Sequence, residues 1–507
     1  MKIFSTKKIS EIDRYTIENE PILSIDLMER AAYNLAKYFL ESEFFKNKKS
    51  FCIISGVGNN GGDGLALARL LHFNGKKVRV YLFGDIKKQS KDNATNWKRL
   101  ENIDIFKKHV LSAEEIHFLE DEIIVDALYG TGLSRPLEGP VLNLVEKINN
   151  SSNFVVSIDI PSGLLGEDNR FNNSQIVQAD LTLTLEFPKL SFFFPENEKF
   201  VGKFEIVKIF LSEEAKNKTE TCYYYTDFSE INLIYKRRTK FSEKRDFGHA
   251  LIVGGSKGKI GAILLASKAC YRTGVGLLTV HCPNAFSTTL NVFLPEIMLA
   301  PDKNADYITQ CNIKDIYTAI GIGPGLGTNI ETTSALLEYL NAKLPIVLDA
   351  DALNIIAKND LLKNIKPYTI ITPHIREFDR LFGEHSTHYD RFLTANQVAK
   401  DLKIIVVLKG AYTQIHLPNG NIFFNSTGNQ GLATGGSGDV LTGIITGLLA
   451  QGYTPENAAI FGVFLHGLAA DLAVKDFYSY ETLLPSDVIK YLSNAFQLIN
   501  NQICNQF

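Results

Sequence analysis

Side chains that could carry chemistry follow three apolar runs in the first half of the chain. The segments are "FCIISGVGNNGGDGLALARLL", "EIIVDALYGTGLSRPLEGP" and "VVSIDIPSG". Amide, hydroxyl and carboxylate oxygens are hard ligands, which suit an alkali or alkaline-earth cation better than zinc. A carboxylate beside a cation can also exchange protons, because neighbouring charges tune its pKa. The side chains concerned are Asn59, Asn60, Asp63, Asp126, Asp159 and Ser162.

The first of these segments contains the dinucleotide fingerprint G-x-G-x-x-G, at Gly56, Gly58 and Gly61. A redox-cofactor loop would need an acid after the next strand, and Asp85 is available. However, Asp63 in the first helical turn would compete with a bound phosphate. One alternative is therefore a structural turn in which Asp63 caps its helix.

The second half carries "NQGLATGGSGDVLTGIITGLLAQG", in which glycines precede Asp439 and a predicted helix. Free N–H groups at such a helix start can bind a phosphoryl group, and the aspartate can take a proton from a hydroxyl nucleophile. A glycine turn with Asp439 as helix cap is the alternative. His374 could likewise be structural, and Asp349 and Asp351 could only cap a helix near Ala352.

These segments lie at the ends of predicted strands in two successive alternations of strands and helices. Near-continuous apolar strands separated by helices indicate parallel sheets covered on both faces, which is the α/β class. Carboxyl ends of such strands are where open α/β sheets bind ligands. The predicted domains are residues 1–215 and 241–507, joined by a linker at 216–240.

Composition excludes several other classes of protein. The 507 residues carry a net charge of -3, which favours neither nucleic acid nor a membrane surface. No apolar run approaches the ~20 residues of a membrane-spanning helix, and the basic start "MKIFSTKKIS" lacks a signal-peptide core. The six scattered cysteines predict reduced, mostly buried thiols. We therefore expect a cytoplasmic, homo-oligomeric protein that acts on small molecules.

"GVGNNGGDGLALARLL", "DALYGTGLSRPLEGP" and "SIDIPSGL" resemble the NAD(P)H-hydrate epimerase family, over roughly the first 210 residues. The resemblance implies a Rossmann-like three-layer domain that epimerises the hydrated nucleotides NADHX and NADPHX at C6. It implies K⁺ held by Asn60, Asp126 and Ser162, with Asp159 as the acid/base residue. The implied substrate contacts are Asn59, Asn60, Gly61, Gly62, Asp63, Gly130, Thr131, Gly132, Leu133, Ser134, Arg135, Pro136 and Asp159.

"GGSKGKIGAILLASKA", "GIGPGLGT", "TPHIREFDRL", "VVLKGAYTQI" and "GGSGD" together resemble the ribokinase-like NAD(P)H-hydrate dehydratase family, from about Phe247 onwards. The resemblance implies that Asp439 deprotonates the C6 hydroxyl so that it accepts a phosphoryl group from ADP, with Mg²⁺ on the phosphates. Phosphate then leaves, which restores the ring double bond. The implied substrate contacts are Ala262, Gly325, His374 and Asp439, and the implied nucleotide contacts are Lys409, Gly410, Ala411, Tyr412, Thr413 and Gly438.

One position departs from the family pattern. Proline and glycine usually follow "TPH" in the family, whereas this chain has Ile375 and Arg376. Glu377, the next residue of the pattern, is retained. The backbone approach at this turn is therefore expected to differ.

Fusion of the two halves supports a single purpose, because a dehydratase for one C6 epimer needs an epimerase to recover the other. The prediction is therefore a bifunctional repair enzyme that releases AMP and phosphate. The alternative is an ATP-dependent kinase for a sugar or hydroxymethylpyrimidine, with an N-terminal sensor or scaffold domain.

Overall fold

Two compact units make up the protein in a computed structural model that describes residues 1–504, with side chains described as far as Gln502. The first unit comprises Lys2–Thr221 and Thr387–Tyr389. The second comprises Met1, Cys222–Ser386 and the chain from Asp390 onwards.

The first unit is built on a parallel seven-stranded sheet in the order β4-β3-β2-β5-β6-β7-β8. The order reverses between β2 and β5, which is the doubly wound arrangement. The strands of this sheet are β2 Ser50–Ser55, β3 Lys77–Phe83, β4 Phe106–Val110, β5 Ile123–Ala127, β6 Val155–Ile158, β7 Leu181–Leu185 and β8 Lys203–Val207, and the short strand β1 Lys2–Ile3 lies outside it. Its helices are α1 Thr6–Asn19, α2 Ser24–Glu41, α3 Asn59–Phe73, α4 Lys91–Arg99, α5 Val141–Asn149, α6 Glu198–Val201 and α7 Glu213–Lys218.

Alternating side chains of β2 bury both faces of this sheet. Phe51 and Ile53 belong to the apolar cluster that includes residues of α2 and α3. Cys52 and Ile54 belong to the opposite cluster, which includes residues of α5. Because both faces are covered, the strand reads as a continuous apolar run, as the sequence predicted.

The second unit has ten strands, in the order β9-β18-β17-β16-β15-β14-β13-β10-β11-β12. Strands β10 to β16 pair in parallel, and β17 joins β16 and β18 by antiparallel pairing. The strands are β9 Tyr223–Thr226, β10 His249–Val253, β11 Leu277–Cys282, β12 Met298–Pro301, β13 Ala319–Ile322, β14 Ile346–Leu348, β15 Ile370–Ile371, β16 Ile405–Leu408, β17 Gln414–His416 and β18 Ile422–Asn425.

Ten helices of the described residues accompany this sheet. Residues of α9, α15 and α16 belong to one of its two apolar clusters. The other cluster includes residues of α11, α12 and α13. The helices are α8 Phe228–Ile234, α9 Ile260–Arg272, α10 Ser287–Phe293, α11 Ile330–Leu340, α12 Ala350–Lys358, α13 Ile375–Phe382, α14 His388–Asp401, α15 Ser437–Ala450, α16 Pro455–Asp476 and α17 Pro485–Cys504.

By length and composition, helix α16 could cross a membrane. No segment of that kind was predicted from the sequence. In the structure 78% of its most apolar window is buried. Packing inside the second unit therefore explains why α16 is so apolar.

The α/β class is confirmed, and every strand predicted from an apolar run is present. Strands without such a run were missed, including β4, whose sequence "FKKHV" is half charged. The predicted linker at residues 216–240 contains part of α7, all of β9 and all of α8. Five cysteines are free thiols, three of them buried, while the side chain of Cys504 lies outside the described residues.

Candidate active sites

The three segments of the first half meet at one edge of its sheet. They follow β2, β5 and β6, which are neighbours in the sheet and run parallel. The predicted crevice therefore lies beside the point where the strand order reverses.

Asp126 is the penultimate residue of β5 and is completely buried. It accepts hydrogen bonds from Ser157 Oγ at 2.8 Å and from Ser162 Oγ at 2.6 Å and N at 2.9 Å. Burial raises the pKa of Asp126, and the hydrogen bonds from Ser162 and Ser157 partly offset that increase. The structure thus brings two predicted cation ligands, Asp126 and Ser162, into direct contact.

Asn60 lies in the first turn of α3, beside the segment that follows β5. A Cβ atom added to Gly130 would lie 3.3 Å from Asn60 Oδ1. Tyr129 N donates a hydrogen bond to Ser162 Oγ at 2.8 Å, which links this segment to the buried carboxylate. The Asn60 amide is buried, and its Nδ2 has no hydrogen-bond partner among residues 1–504. The third predicted ligand is therefore close to the first two.

Helix α3 begins at Asn59 after Gly58, so Asp63 is its fifth residue and does not cap it. This excludes the structural alternative for Asp63. Asp85, the acid that a redox-cofactor loop would use, instead accepts a hydrogen bond from Lys87 N in a one-turn helix. Burial raises the pKa of Asp63 well above its usual value, and the charges of Asp159, Asp13 and Asp92 add to the increase.

Asn93 of α4 anchors the glycine loop and was missed by the sequence reading. Its Nδ2 donates to Gly56 O and Gly58 O, both at 2.8 Å. Close packing around the loop also explains its glycines, because a Cβ at Gly61 would lie 1.9 Å from Gly56 O. No local pattern in the sequence marks an asparagine more than thirty residues away as the anchor.

Asp159 follows β6 with a backbone φ of 67°. This left-handed conformation is uncommon for a residue with a side chain and often occurs at functional sites. Its Oδ1 accepts hydrogen bonds from Leu185 N at 3.2 Å and from the ammonium group of Lys189. Lys189 was also missed, although a lysine inside the apolar run "EFPKLSFFF" is a usable signal.

Other carboxylates surround Asp159 electrostatically. Asp13 of α1 has its pKa raised to about 7, first by burial and then by the charge of Asp159, with Lys189 acting in the opposite direction. The pKa of Asp63 is raised first by burial and then by the charges of Asp159 and Asp13. Asp13 and Asp63 can therefore hold protons at pH values at which an ordinary aspartate is ionised.

The predicted segment Gly130–Pro136 is only partly brought into this cluster. Gly130 lies against Asn60, and its carbonyl accepts a hydrogen bond from Leu133 N at 3.1 Å. Gly132, Ser134 and Arg135 are exposed, and Thr131, Leu133 and Pro136 are half-buried. The segment therefore forms an accessible rim.

In the second unit, the predicted segments follow β10, β13, β14, β15 and β16, which are consecutive neighbours in the sheet. Asp349, directly after β14, is buried and joins two of them. Its Oδ1 accepts from Lys409 Nζ at 3.0 Å, and its Oδ2 accepts from Thr442 Oγ1 at 2.7 Å. Asp349 is at the N-cap position of α12, which was one of its alternatives, but its carboxylate contacts Lys409 and Thr442 instead of capping that helix.

Helix α15 begins after Gly436, whose φ is 100°, so Asp439 is its third residue and does not cap it. Burial raises the pKa of Asp439 to about 7, the charge of Asp349 adds to the increase and that of Lys409 opposes it. A Cβ at Gly438 would lie 3.2 Å from Lys409 Nζ. The start of this helix therefore lies against the predicted nucleotide-binding lysine.

His374 is the N-cap of α13, which supports its structural alternative. Its Nδ1 accepts hydrogen bonds from the backbone N–H groups of Arg376 and Glu377, at 3.1 and 3.3 Å. Glu377 Oε2 in turn accepts from His374 N at 2.9 Å, which completes a capping box. The ring is still 47% exposed, so a substrate contact is compatible with this role. Burial lowers the pKa of His374.

Ala262 and Gly325 are also close to each other. A Cβ at Gly325, whose φ is 59°, would lie 3.2 Å from Ala262 Cβ and 2.4 Å from Lys259 O. Lys259 Nζ is 3.0 Å from Asp351 Oδ2, which also accepts a hydrogen bond from Gly327 N at 2.9 Å. Asp351 thus holds two of the predicted segments together.

The remaining predicted contacts form the turn between β16 and β17. Thr413 Oγ1 donates to Gly410 O at 3.0 Å. Gly410 and Ala411 are exposed, and Tyr412 is half-buried. The turn therefore presents its backbone at the same edge as Lys409.

Comparison with known sequences finds two family profiles, one in each half of the chain. Residues 250–494 match the profile of NAD(P)H-hydrate dehydratase, and residues 24–191 match that of the YjeF-related protein N-terminus.

Full-length relatives carry both parts. A bifunctional NAD(P)H-hydrate repair enzyme of Coxiella burnetii is 33% identical over 497 residues, covering 97% of this chain and 98% of the relative. One of Thermofilum pendens is 33% identical over 520 residues, covering 98% and 97%. A crystal structure of the ADP/ATP-dependent NAD(P)H-hydrate dehydratase from Bacillus subtilis is 31% identical and covers 54% of this chain and 98% of its own, with a TM-score of 0.49.

Proposed function

The chain belongs to the family of bifunctional NAD(P)H-hydrate repair enzymes, and we propose that the Asp159 and Asp439 clusters are its epimerase and dehydratase sites. The chain therefore epimerises NAD(P)H hydrates and dehydrates them. The kinase alternative is not favoured, since both family parts are present over the whole length. The observation that carries the proposal is the position of Asp159 and Asp439, each at the strand-end edge of its sheet. Asp159 accepts a hydrogen bond from Lys189 and lies near Asp13, whose pKa is raised, and the pKa of Asp439 itself is raised.

In the epimerase site, Asp159 moves protons as the C6 hydroxyl is reversibly lost or the ring reversibly opens. The accessible rim Gly130–Pro136 and the first residues of α3, Asn59–Asp63, bind the hydrated nucleotide. Asp63 and Asp13, whose pKa values are raised, are available as proton donors close to Asp159.

The donor set Asn60, Asp126 and Ser162 suits K⁺. It consists of one carboxylate with amide and hydroxyl oxygens, which are hard ligands. Among the described residues, the hydrogen bonds to Asp126 come only from serine and backbone groups, so its buried charge has no basic partner. A cation bound there would offset that charge.

In the dehydratase site, Asp439 takes the proton of the C6 hydroxyl while that oxygen bonds to the terminal phosphorus of ADP, and AMP leaves. The C6–O bond then breaks with departure of phosphate, and loss of a ring proton restores the double bond. Lys409 and the N–H groups at the start of α15 would stabilise the phosphoryl group.

Mg²⁺ in this site would be held through the phosphates of the donor. Among residues 1–504, no group of three or more His, Cys, Asp and Glu side chains forms a metal cage. That fits Mg²⁺, which proteins commonly bind through a few ligands and substrate phosphates. ADP is the donor that we propose, with NADHX and NADPHX as substrates.

A double dissociation tests the assignment. Asp159→Ala should abolish interconversion of the purified epimers, followed by chromatography without donor, and should leave dehydration of the S epimer intact. Asp439→Asn should do the reverse, with NADH recovery followed by absorbance in parallel with ADP and with ATP. Unchanged interconversion in Asp159→Ala, or phosphorylation of a sugar or pyrimidine without NADH recovery, would contradict the proposal.

The domain limits 1–215 and 241–507, the cytoplasmic location and the homo-oligomeric state are proposed on the sequence alone. Size-exclusion chromatography with light scattering measures the last of these directly.

A further inference from the structure

Lys189 is the basic partner of Asp159, and its side chain is only 1% exposed. Besides Asp159 Oδ1, its Nζ donates to Thr184 Oγ1 at 2.7 Å and to Phe187 O at 3.1 Å. An ammonium group has three hydrogens, so all three have acceptors. Only one of those acceptors carries a charge.

Burial of this lysine is costly, and its sequence surroundings are apolar. Leu190, Phe192 and Phe193, which follow it directly, are all buried. An unpaired ammonium group there would be strongly destabilising, whereas a hydrogen-bonded ion pair is tolerated. The presence of a lysine at this place therefore needs a reason other than packing.

Strand β7 holds the other side of Asp159. The backbone N–H of Asp159 donates to Leu183 O at 2.8 Å, and Leu185 N donates to Asp159 Oδ1 at 3.2 Å. Within the described part of the chain, both hydrogen bonds to the carboxylate therefore end on Oδ1. Oδ2 is left for another partner.

The groups that face Asp159 from other elements are acidic. The charge of Asp159 raises the pKa values of Asp13 on α1 and Asp63 on α3, and Glu186 also raises that of Asp13. Lys189 is the basic group that is hydrogen-bonded to Asp159 among these acidic neighbours.

We propose that Lys189 is a positioning residue for epimerisation, which holds Oδ1 of Asp159 so that Oδ2 faces the hydrated ring. The inference rests on the proposed acid/base role of Asp159. It assigns the reaction a second required side chain that does not touch the substrate.

The test is Lys189→Met in the full chain, with epimer interconversion measured against pH. We expect the rate at neutral pH to fall by about 100-fold or more. We also expect the acidic limb of the profile to move to higher pH, because a carboxylate without its ammonium partner binds a proton more readily. Lys189→Arg keeps the charge, so its acidic limb should stay near that of the wild type while its rate falls.

Arg79→Met is the matched control. Arg79 pairs with the buried Glu122 at 2.9 Å, which precedes β5 and so lies at the opposite end of the strands from Asp159. This variant loses a comparable ion pair, but its pH profile should be that of the wild type. Dehydration of the S epimer should stay unchanged in both methionine variants.

Thr184→Val covers the case in which Lys189→Met does not fold, as judged by circular dichroism. It removes one acceptor of the ammonium group and should shift the profile in the same direction by less. A wild-type rate and profile in the folded Lys189→Met variant would overturn the inference. A wild-type profile in Thr184→Val would overturn it if Lys189→Met is unfolded. Retained interconversion in Asp159→Ala would instead overturn the proposed function.

Discussion

Asp439 shows how one residue type acquires its chemistry from position. It is the half-buried third residue of α15, and its pKa is raised to about 7. A base is most effective when its pKa lies near the working pH. The same residue type at Asp349 is instead tied to Lys409 and Thr442. Asp439 is therefore the aspartate suited to take a proton.

This raised pKa predicts the pH dependence of dehydration. Only the ionised carboxylate can accept the hydroxyl proton, so kcat/KM should decline by about tenfold per pH unit below a pH of about 7. Asp439→Asn should lower kcat by about 100-fold to 10,000-fold and should remove this limb. A profile that stays flat from pH 7 down to about 5 would contradict the assignment of Asp439 as base.

At the cation site, the prediction concerns Asn60 and Asp126. If K⁺ offsets the buried charge of Asp126, replacing K⁺ by tetramethylammonium at equal ionic strength should slow epimerisation. Dehydration of the S epimer should be unchanged by the same replacement. Asn60→Ala should weaken the apparent affinity for K⁺ in the same assay. Epimerisation that is equally fast in the two salts would contradict the assignment.

Among the helices, close approach decides where glycine is required. Helices α15 and α9 pack so tightly that a Cβ at Gly443 would lie 2.0 Å from Ala266 O. Since α15 carries Asp439 and α9 carries Ala262, this packing also sets the distance between two predicted contacts.

Gly443→Ala should therefore lower the free energy of unfolding of the second unit, by about 1–3 kcal/mol. Gly261→Ala in α9 is the matched variant, because a Cβ there would meet no atom within 4 Å. It should raise stability by about 0.5–1 kcal/mol through helix propensity. Urea denaturation measures both, and equal effects of the two variants would contradict the close approach.

For the whole molecule, each candidate site is built from residues of one unit. The Asp159 cluster uses the first unit and the Asp439 cluster uses the second. Two complete sites on separate units need not share a substrate channel to cooperate, since the epimers are released molecules.

Repair of the R epimer should accordingly be restored in trans. Neither Asp159→Ala nor Asp439→Asn alone should convert R-NADHX to NADH faster than spontaneous epimerisation allows, whereas an equimolar mixture should. The measurement is NADH recovery from purified R epimer with ADP. No gain on mixing would show that the two sites must be on one chain.

Much of both candidate sites could be predicted from the sequence because their parts are local in the chain. The strand-end segments around Asn60, Asp126 and Asp159 and the helix start at Asp439 are each continuous in the chain, and parallel strands bring their carboxyl ends to one edge. Both α/β units and the strand ends beside β2, β5 and β6 were expected on that basis.

What the sequence by itself determined is therefore the fold class, the family and the residues at the strand ends. Only the tertiary structure decided their partners. Lys189 reaches Asp159 across thirty residues, and Asn93 reaches the glycine loop across more than thirty-five, so no spacing rule could reveal them. It also decided that Asp63 and Asp439 are not helix caps, since cap position depends on where each helix begins. The physical reason is that burial and charge act through space, while a sequence pattern records only neighbours along the chain.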